Sequence, residues 1–96
     1  MVYAFTQDVP IDLDTYEKVI ANLGPEPLDG CLMHLCLRRP DGGLSYIDVW
    51  ESEEKCATAF DTRIHPAVDE ALGGNRPGKE PHTDRLEVLH AMGAGL

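Results

Sequence analysis

The run Pro40-Asp41-Gly42-Gly43, set between apolar stretches at 31–37 and 44–50, constrains the fold of this chain more than any other feature. Proline presets φ, aspartate offers a local side-chain acceptor, and the two glycines accept positive φ. The flanking stretches are therefore predicted to pair as an antiparallel hairpin. The second stretch alternates, with Tyr46, Asp48 and Trp50 on one face and Ile47 and Val49 on the other. In the first, Leu32-His34-Cys36 and Met33-Leu35-Leu37 are both mostly apolar sets, which predicts a strand covered on both sides. What faces His34 depends on loop length. A loop with an odd number of residues sets His34 opposite Asp48 and Cys36 opposite Tyr46, whereas a two-residue Asp41-Gly42 turn sets His34 opposite Val49.

Around this hairpin the rest of the chain falls into order. Residues 2–5 are a short apolar and aromatic strand candidate closed off by Pro10. Leu13, Tyr16, Ile20 and Leu23 recur at helical spacing behind Asp12 or Asp14 as the cap, and Gly24-Pro25 ends them. Ser52, followed by Glu53 and Glu54, opens a second helix. Its apolar face is Phe60, Ile64, Ala67, Val68, Ala71 and Leu72, helped by Cys56 and Ala57. Pro66 must kink that helix or begin a new one, because it lacks a donor and clashes with the preceding turn. After Gly73-Gly74, residues 79–84 read as loop, 86–89 or 86–90 as the last strand and 93–96 as a flexible tail. The order β-α-β-β-α-β, in a single domain over 1–96, predicts a ferredoxin-like α+β sandwich. Both helices should lie on one face of a four-stranded antiparallel sheet whose centre is strands one and three.

A chain of 96 residues hides only roughly 60–65% of its extended surface on folding. Two helices cover one sheet face, yet large apolar side chains exist for both, so the open face is predicted to pair with a second copy, giving a dimeric α+β barrel. Seventeen acidic against eight basic residues give a formal charge of −9, without the positive stripe that nucleic acid or an anionic membrane would demand. No apolar run reaches the roughly 18–20 residues of a membrane helix, and the start lacks a basic export region. Cys31, Cys36 and Cys56 cannot all pair with one another and match no zinc spacing, which suits a reduced cytoplasmic setting. Neither a metal nor a cofactor is predicted; Cys31, His34 and Cys36 have mixed strand parity and lack a fourth ligand.

Six residues are candidates for chemistry. In the His34–Asp48 register, the carboxylate orients the imidazole as a general base, in a cavity inside the dimer that Trp50 and Tyr46 help to line. Trp50 offers a stacking surface for a flat aromatic ligand, although a lone tryptophan at a strand end is more often core or interface packing. Tyr46 offers a hydroxyl for a substrate oxygen, with interface packing accounting for it equally well. His65 stands at the helix interruption and His90 at the end of the last strand, both as substrate-binding candidates. In the expected strand order His90 nears His34 only across a dimer. The structural alternative for each polar residue is a hydrogen-bonded place in the fold.

The run Asp48-Val49-Trp50-Glu51-Ser52, with Phe60, Arg63-Ile64-His65-Pro66, Gly30 four residues before His34, and His90, resembles the antibiotic-biosynthesis-monooxygenase-like family of the dimeric α+β barrel superfamily, especially uncharacterised actinobacterial members. The resemblance spans roughly residues 30–90 and implies the fold and the dimer. It also implies a range of chemistries, from cofactor-free oxygenases of polyketide quinols to haem-degrading enzymes and isomerases. The haem-degrading pattern wants an asparagine on the first strand and a helix histidine nearer the tryptophan. Thr6 or Gln7 stands in the first place, and His65 follows Trp50 by fifteen residues. Two classes of function result: a cofactor-independent monooxygenase acting on a small aromatic or quinol-type substrate, with His34 as base, or a non-catalytic dimer that binds a small apolar ligand or is purely structural.

Overall fold

The computed structural model describes residues 2–74, 83–90 and 92. Its elements are β1 (Tyr3–Val9), α1 (Leu13–Leu23), β2 (Cys31–Arg38), β3 (Leu44–Trp50), α2 (Glu53–Ala59), a π-helical turn (Phe60–Ile64), α3 (His65–Ala71) and β4 (Thr83–Leu86). The strands form one antiparallel sheet in the order β2-β3-β1-β4. This is the expected ferredoxin-like α+β sandwich, with the first and third strands in the centre. Among the described residues, no helix is long and apolar enough to cross a membrane.

The hairpin loop runs over the five residues 39–43, an odd number. Arg39 N donates to Gly43 O at 2.8 Å, Gly42 N to Arg39 O at 2.9 Å, and Gly43 N to Asp41 Oδ1 at 2.8 Å. Gly42 takes φ 90°, where a side chain would be strained. The loop sets His34 opposite Asp48 and Cys36 opposite Tyr46. A bulge at Leu32 then inserts one residue, so Cys31 rather than Leu32 stands opposite Trp50.

Local composition misjudged both outer boundaries. β1 continues to Val9, past the expected 2–5, because Thr6, Gln7 and Asp8 find a full ladder against β3 and the buried Val9 closes it opposite Leu44. β4 occupies Thr83–Leu86, where Ala4 to Gln7 of β1 offer backbone partners, and not 86–90. Residues 87–90 carry no strand, so Thr83 and Asp84 belong to β4 and not to the expected 79–84 loop. The rest of that loop, 79–82, and the expected tail, 93–96, lie outside the described residues.

Asp12 caps α1, accepting from Thr15 N at 2.8 Å. The buried residue of α1 is Val19, with Leu13 and Ile20 exposed, so the inward stripe is Tyr16-Val19-Leu23. That phase is set by packing against α3, where Asn22 Nδ2 donates to Ala67 O at 3.1 Å. Ser52 caps α2, and the buried α2 positions are Cys56 and Ala59, with Ala57 exposed. Pro66 has no N–H for the carbonyl of Thr62, and the helix passes it through a π turn in which His65 N reaches back to Phe60 O. The proline then occupies the first turn of α3, where its missing donor costs nothing.

The core lies between the sheet and α2 with its π turn. Phe5, Trp50, Cys56 and Ala59 are buried in it, flanked by Tyr3, Leu28, Cys31, Phe60 and Ile64. Trp50 is 0% exposed. The helix-covered face of the sheet is therefore the one carrying Tyr46, Asp48 and Trp50, and the open face carries Ile47 and Val49. β2 is an edge strand, and in the single chain Leu35 and Leu37 on its open face are 43% and 41% exposed, against the expectation of cover on both sides.

Candidate functional site

The hairpin register delivers His34 and Asp48 side by side on the helix-covered face. His34 Nδ1 and Asp48 Oδ1 are 2.5 Å apart, with Asp48 3% exposed and the imidazole 31%. Two residues along the same strand, Trp50 Nε1 donates to Asp48 Oδ2 at 3.2 Å. A carboxylate only accepts and an indole N–H only donates, so Asp48 holds two N–H groups, one on each oxygen. This assigns the imidazole hydrogen to Nδ1 and leaves Nε2 as an acceptor. α1 supplies its partner, since the Tyr16 hydroxyl lies 2.8 Å from Nε2.

Aromatic rings close around this row. The Tyr46 ring lies 4.8 Å from the imidazole and 5.5 Å from the Tyr16 ring, centroid to centroid. Burial pushes the Tyr16 phenol up to about 12, assisted by Cys36 and Asp48. Burial pushes Tyr46 up as well, with Tyr16, Cys36 and Asp48 adding to it. Both hydroxyls therefore keep their hydrogens at neutral pH. The thiols are pushed up by burial too, Cys56 to about 12, which makes them small apolar packing groups rather than nucleophiles.

Four of the six residues singled out from sequence, His34, Asp48, Trp50 and Tyr46, come together. His65 does not join them: it sits in the first turn of α3, its ring edge-on to Phe60 at 5.7 Å and Nδ1 3.9 Å from Asp61. His90 is exposed and follows β4 without closing it, at the opposite edge of the sheet from His34. Tyr16 was missed. The available signal was its place in the inward stripe of α1, where a phenol needs a polar partner.

The expected location is overturned. His34, Asp48 and Trp50 face the helices, so they cannot line a cavity between two packed sheets, and a general base working in such a cavity is ruled out. Trp50 is also too enclosed to stack on a ligand without rearrangement. Two cavities lie elsewhere, on either side of Arg63. One of about 290 Å³ is lined by Asp29, Lys55, Thr58 and Thr62 among others, and one of about 250 Å³ by Asn22, Leu23, Pro66 and Glu70. Arg63 itself is structural, donating to the carbonyls of Leu23, Glu26 and Pro27 at 2.8–3.0 Å.

No family model and no curated protein matches the chain. Solved structures do. A candidate antibiotic biosynthesis monooxygenase from Caulobacter crescentus CB15 is 16% identical, with 93% of this chain and 91% of that one covered and a TM-score of 0.68. A second candidate of the same description, from Chloroflexus aurantiacus, is 20% identical over 97% of this chain and all of the other, with a TM-score of 0.59. An MhuD variant with two manganese protoporphyrin IX groups per active site is 22% identical, covering 98% and 100%, with a TM-score of 0.59. At these identities the likeness is one of fold, and it singles out no actinobacterial subtype.

Proposed function

We propose that residues 1–96 form one domain of a monooxygenase-type enzyme that acts without a cofactor on a small aromatic or quinol-type substrate, with His34 as the base. The observation that carries this reading is the 2.5 Å contact between His34 Nδ1 and the buried Asp48, which fixes the tautomer with Nε2 as the proton acceptor. Its place is the edge between α1 and the sheet, where the imidazole is part-exposed, and not the space between two sheets. The fold shared with candidate monooxygenases supports the assignment. A proton leaves an electron-rich phenol or its keto tautomer and comes to rest on Nε2. The anion passes one electron to O2, the radical pair combines into a peroxide, and loss of water leaves a quinone or ketone. One O2 is consumed, one oxygen atom enters the substrate and the other leaves as water. Asp48 stabilises the imidazolium by charge.

A porphyrin does not suit these residues. His34 has both ring nitrogens engaged by the protein, so it offers none to a haem iron.

The dimer belongs to the same proposal, with a second copy covering Met33, Leu35, Leu37 and Ile47. A second reading, a non-catalytic dimer, is favoured by one observation: both described cavities lie away from His34 and Trp50. Oxygen uptake separates the two. With anthrone and a methyl-substituted hydroquinone as probes, the enzyme reading expects uptake above the buffer rate that falls about 100-fold or more in His34→Gln. Wild-type uptake at the buffer rate, with the probes shown to bind, selects the non-catalytic dimer.

A further inference from the structure

Resting on that enzyme reading, we infer that Tyr16 is the residue that meets the acidic hydrogen of the substrate, and that His34 acts through it. Neither nitrogen of His34 is open: Nδ1 is held by Asp48 at 2.5 Å and Nε2 by the Tyr16 hydroxyl at 2.8 Å. The Tyr16–His34 contact is exposed, whereas the Asp48 end of the row is buried against Trp50. With both ring nitrogens engaged, a proton from outside reaches Nε2 by way of the Tyr16 hydroxyl. As the substrate's bond to hydrogen breaks, that hydrogen bonds to the Tyr16 oxygen, and the hydrogen Tyr16 already held passes to Nε2. The substrate is left as an anion, the imidazole as a cation against Asp48, and Tyr16 unchanged. Tyr46 is placed to help. Its ring flanks both partners, and its hydroxyl makes no hydrogen bond among the described residues, so it is available to a substrate oxygen beside Tyr16.

Proton removal can be read without oxygenation. In anaerobic D2O, exchange of the anthrone methylene hydrogens for deuterium, followed by proton NMR, should run faster with wild type than with buffer. It should fall about 100-fold in both Tyr16→Phe and His34→Gln. Nitrogen-15 shifts should show His34 protonated at Nδ1 and bare at Nε2, and Tyr16→Phe should keep the Nδ1 hydrogen, showing that the Asp48 contact survives. Wild-type exchange in Tyr16→Phe overturns the relay in favour of direct contact with His34. A His34 hydrogen on Nε2, or no exchange above buffer, also overturns it. Exchange without oxygen uptake overturns the oxygenase reading and leaves the relay standing.

Discussion

Asp48 is the residue on which the others depend, since it is buried and each of its oxygens accepts from a different ring N–H. An asparagine in its place has one acceptor for two donors, and sets its own N–H2 against one of them. Asp48→Asn is expected to lose about 2 kcal/mol in urea unfolding, the cost of a buried donor left unpaired. A loss below about 0.5 kcal/mol, typical of a surface change, would refute the network. The tyrosines give a pH dependence whose sign follows from burial. Tyr16 is raised from 10.0 to about 12, so between those values the folded chain holds a proton that the unfolded chain has released. Stability should then begin to fall at about pH 9, where the thiols of the unfolded chain ionise while the buried ones do not, and keep falling as pH rises through about 12. Tyr16→Phe reduces the part of the fall above about pH 10 but does not abolish it, because Tyr46 and the cysteines are raised too. Urea midpoints at about pH 9 and about pH 11 measure this. The pairing of His34 with Asp48 was legible in the sequence as one of two registers. The Tyr16 contact was not, because no local pattern reveals which strand a helix side chain will meet.

Between residues and fold stand the caps, bulges and turns. The caps at Asp12 and Ser52 and the hairpin were readable because their chemistry is local: an acceptor before a helix, a proline, an aspartate and two glycines between strands. The strand ends were not, because β1 and β4 extend as far as a neighbour's backbone lets them. The bulge at Leu32 had no composition signal, although it decides that Cys31 pairs with Trp50. Gly30, just ahead of β2, shows a constraint of the same scale. Its φ is +83°, its carbonyl accepts from Glu51 N at 2.8 Å, and a Cβ there would lie 2.7 Å from Lys55 Cβ and 2.6 Å from Cδ. The Lys55 tip can move aside; its Cβ is fixed by α2. Gly30→Ala is therefore expected to cost about 2 kcal/mol, the left-handed backbone penalty with crowding added. Thermal unfolding of the variant checks it, and an unchanged midpoint would mean that the β2 entrance relaxes freely.

At the scale of the whole molecule, strand and helix order gave the topology, yet the alternation of β3 could not say which of its faces the helices would cover. Both faces carry apolar side chains, and only the assembled core shows that the bulkier set, Trp50 and Tyr46 with Phe5, goes under the helices. The smaller aliphatic set lies on the other face: Ile47 on β3 and Met33, Leu35 and Leu37 on β2, with Val49 buried there opposite Ala4. Candidate chemistry and proposed dimerisation thus occupy opposite faces of one sheet, which makes them separable by mutation. Leu35 is exposed in the single chain, points away from His34 and packs against no helix, so a glutamate there leaves the fold intact. In a dimer packed sheet to sheet the same glutamate is an unpaired buried charge, costing several kcal/mol per subunit. Leu35→Glu is expected to sediment as a folded monomer at concentrations where wild type is a dimer, while keeping the Nδ1-protonated His34 signature. If wild type itself sediments as a monomer at about micromolar concentration, the aliphatic face has another use and the barrel is lost. If Leu35→Glu remains dimeric, the two copies meet through some other surface.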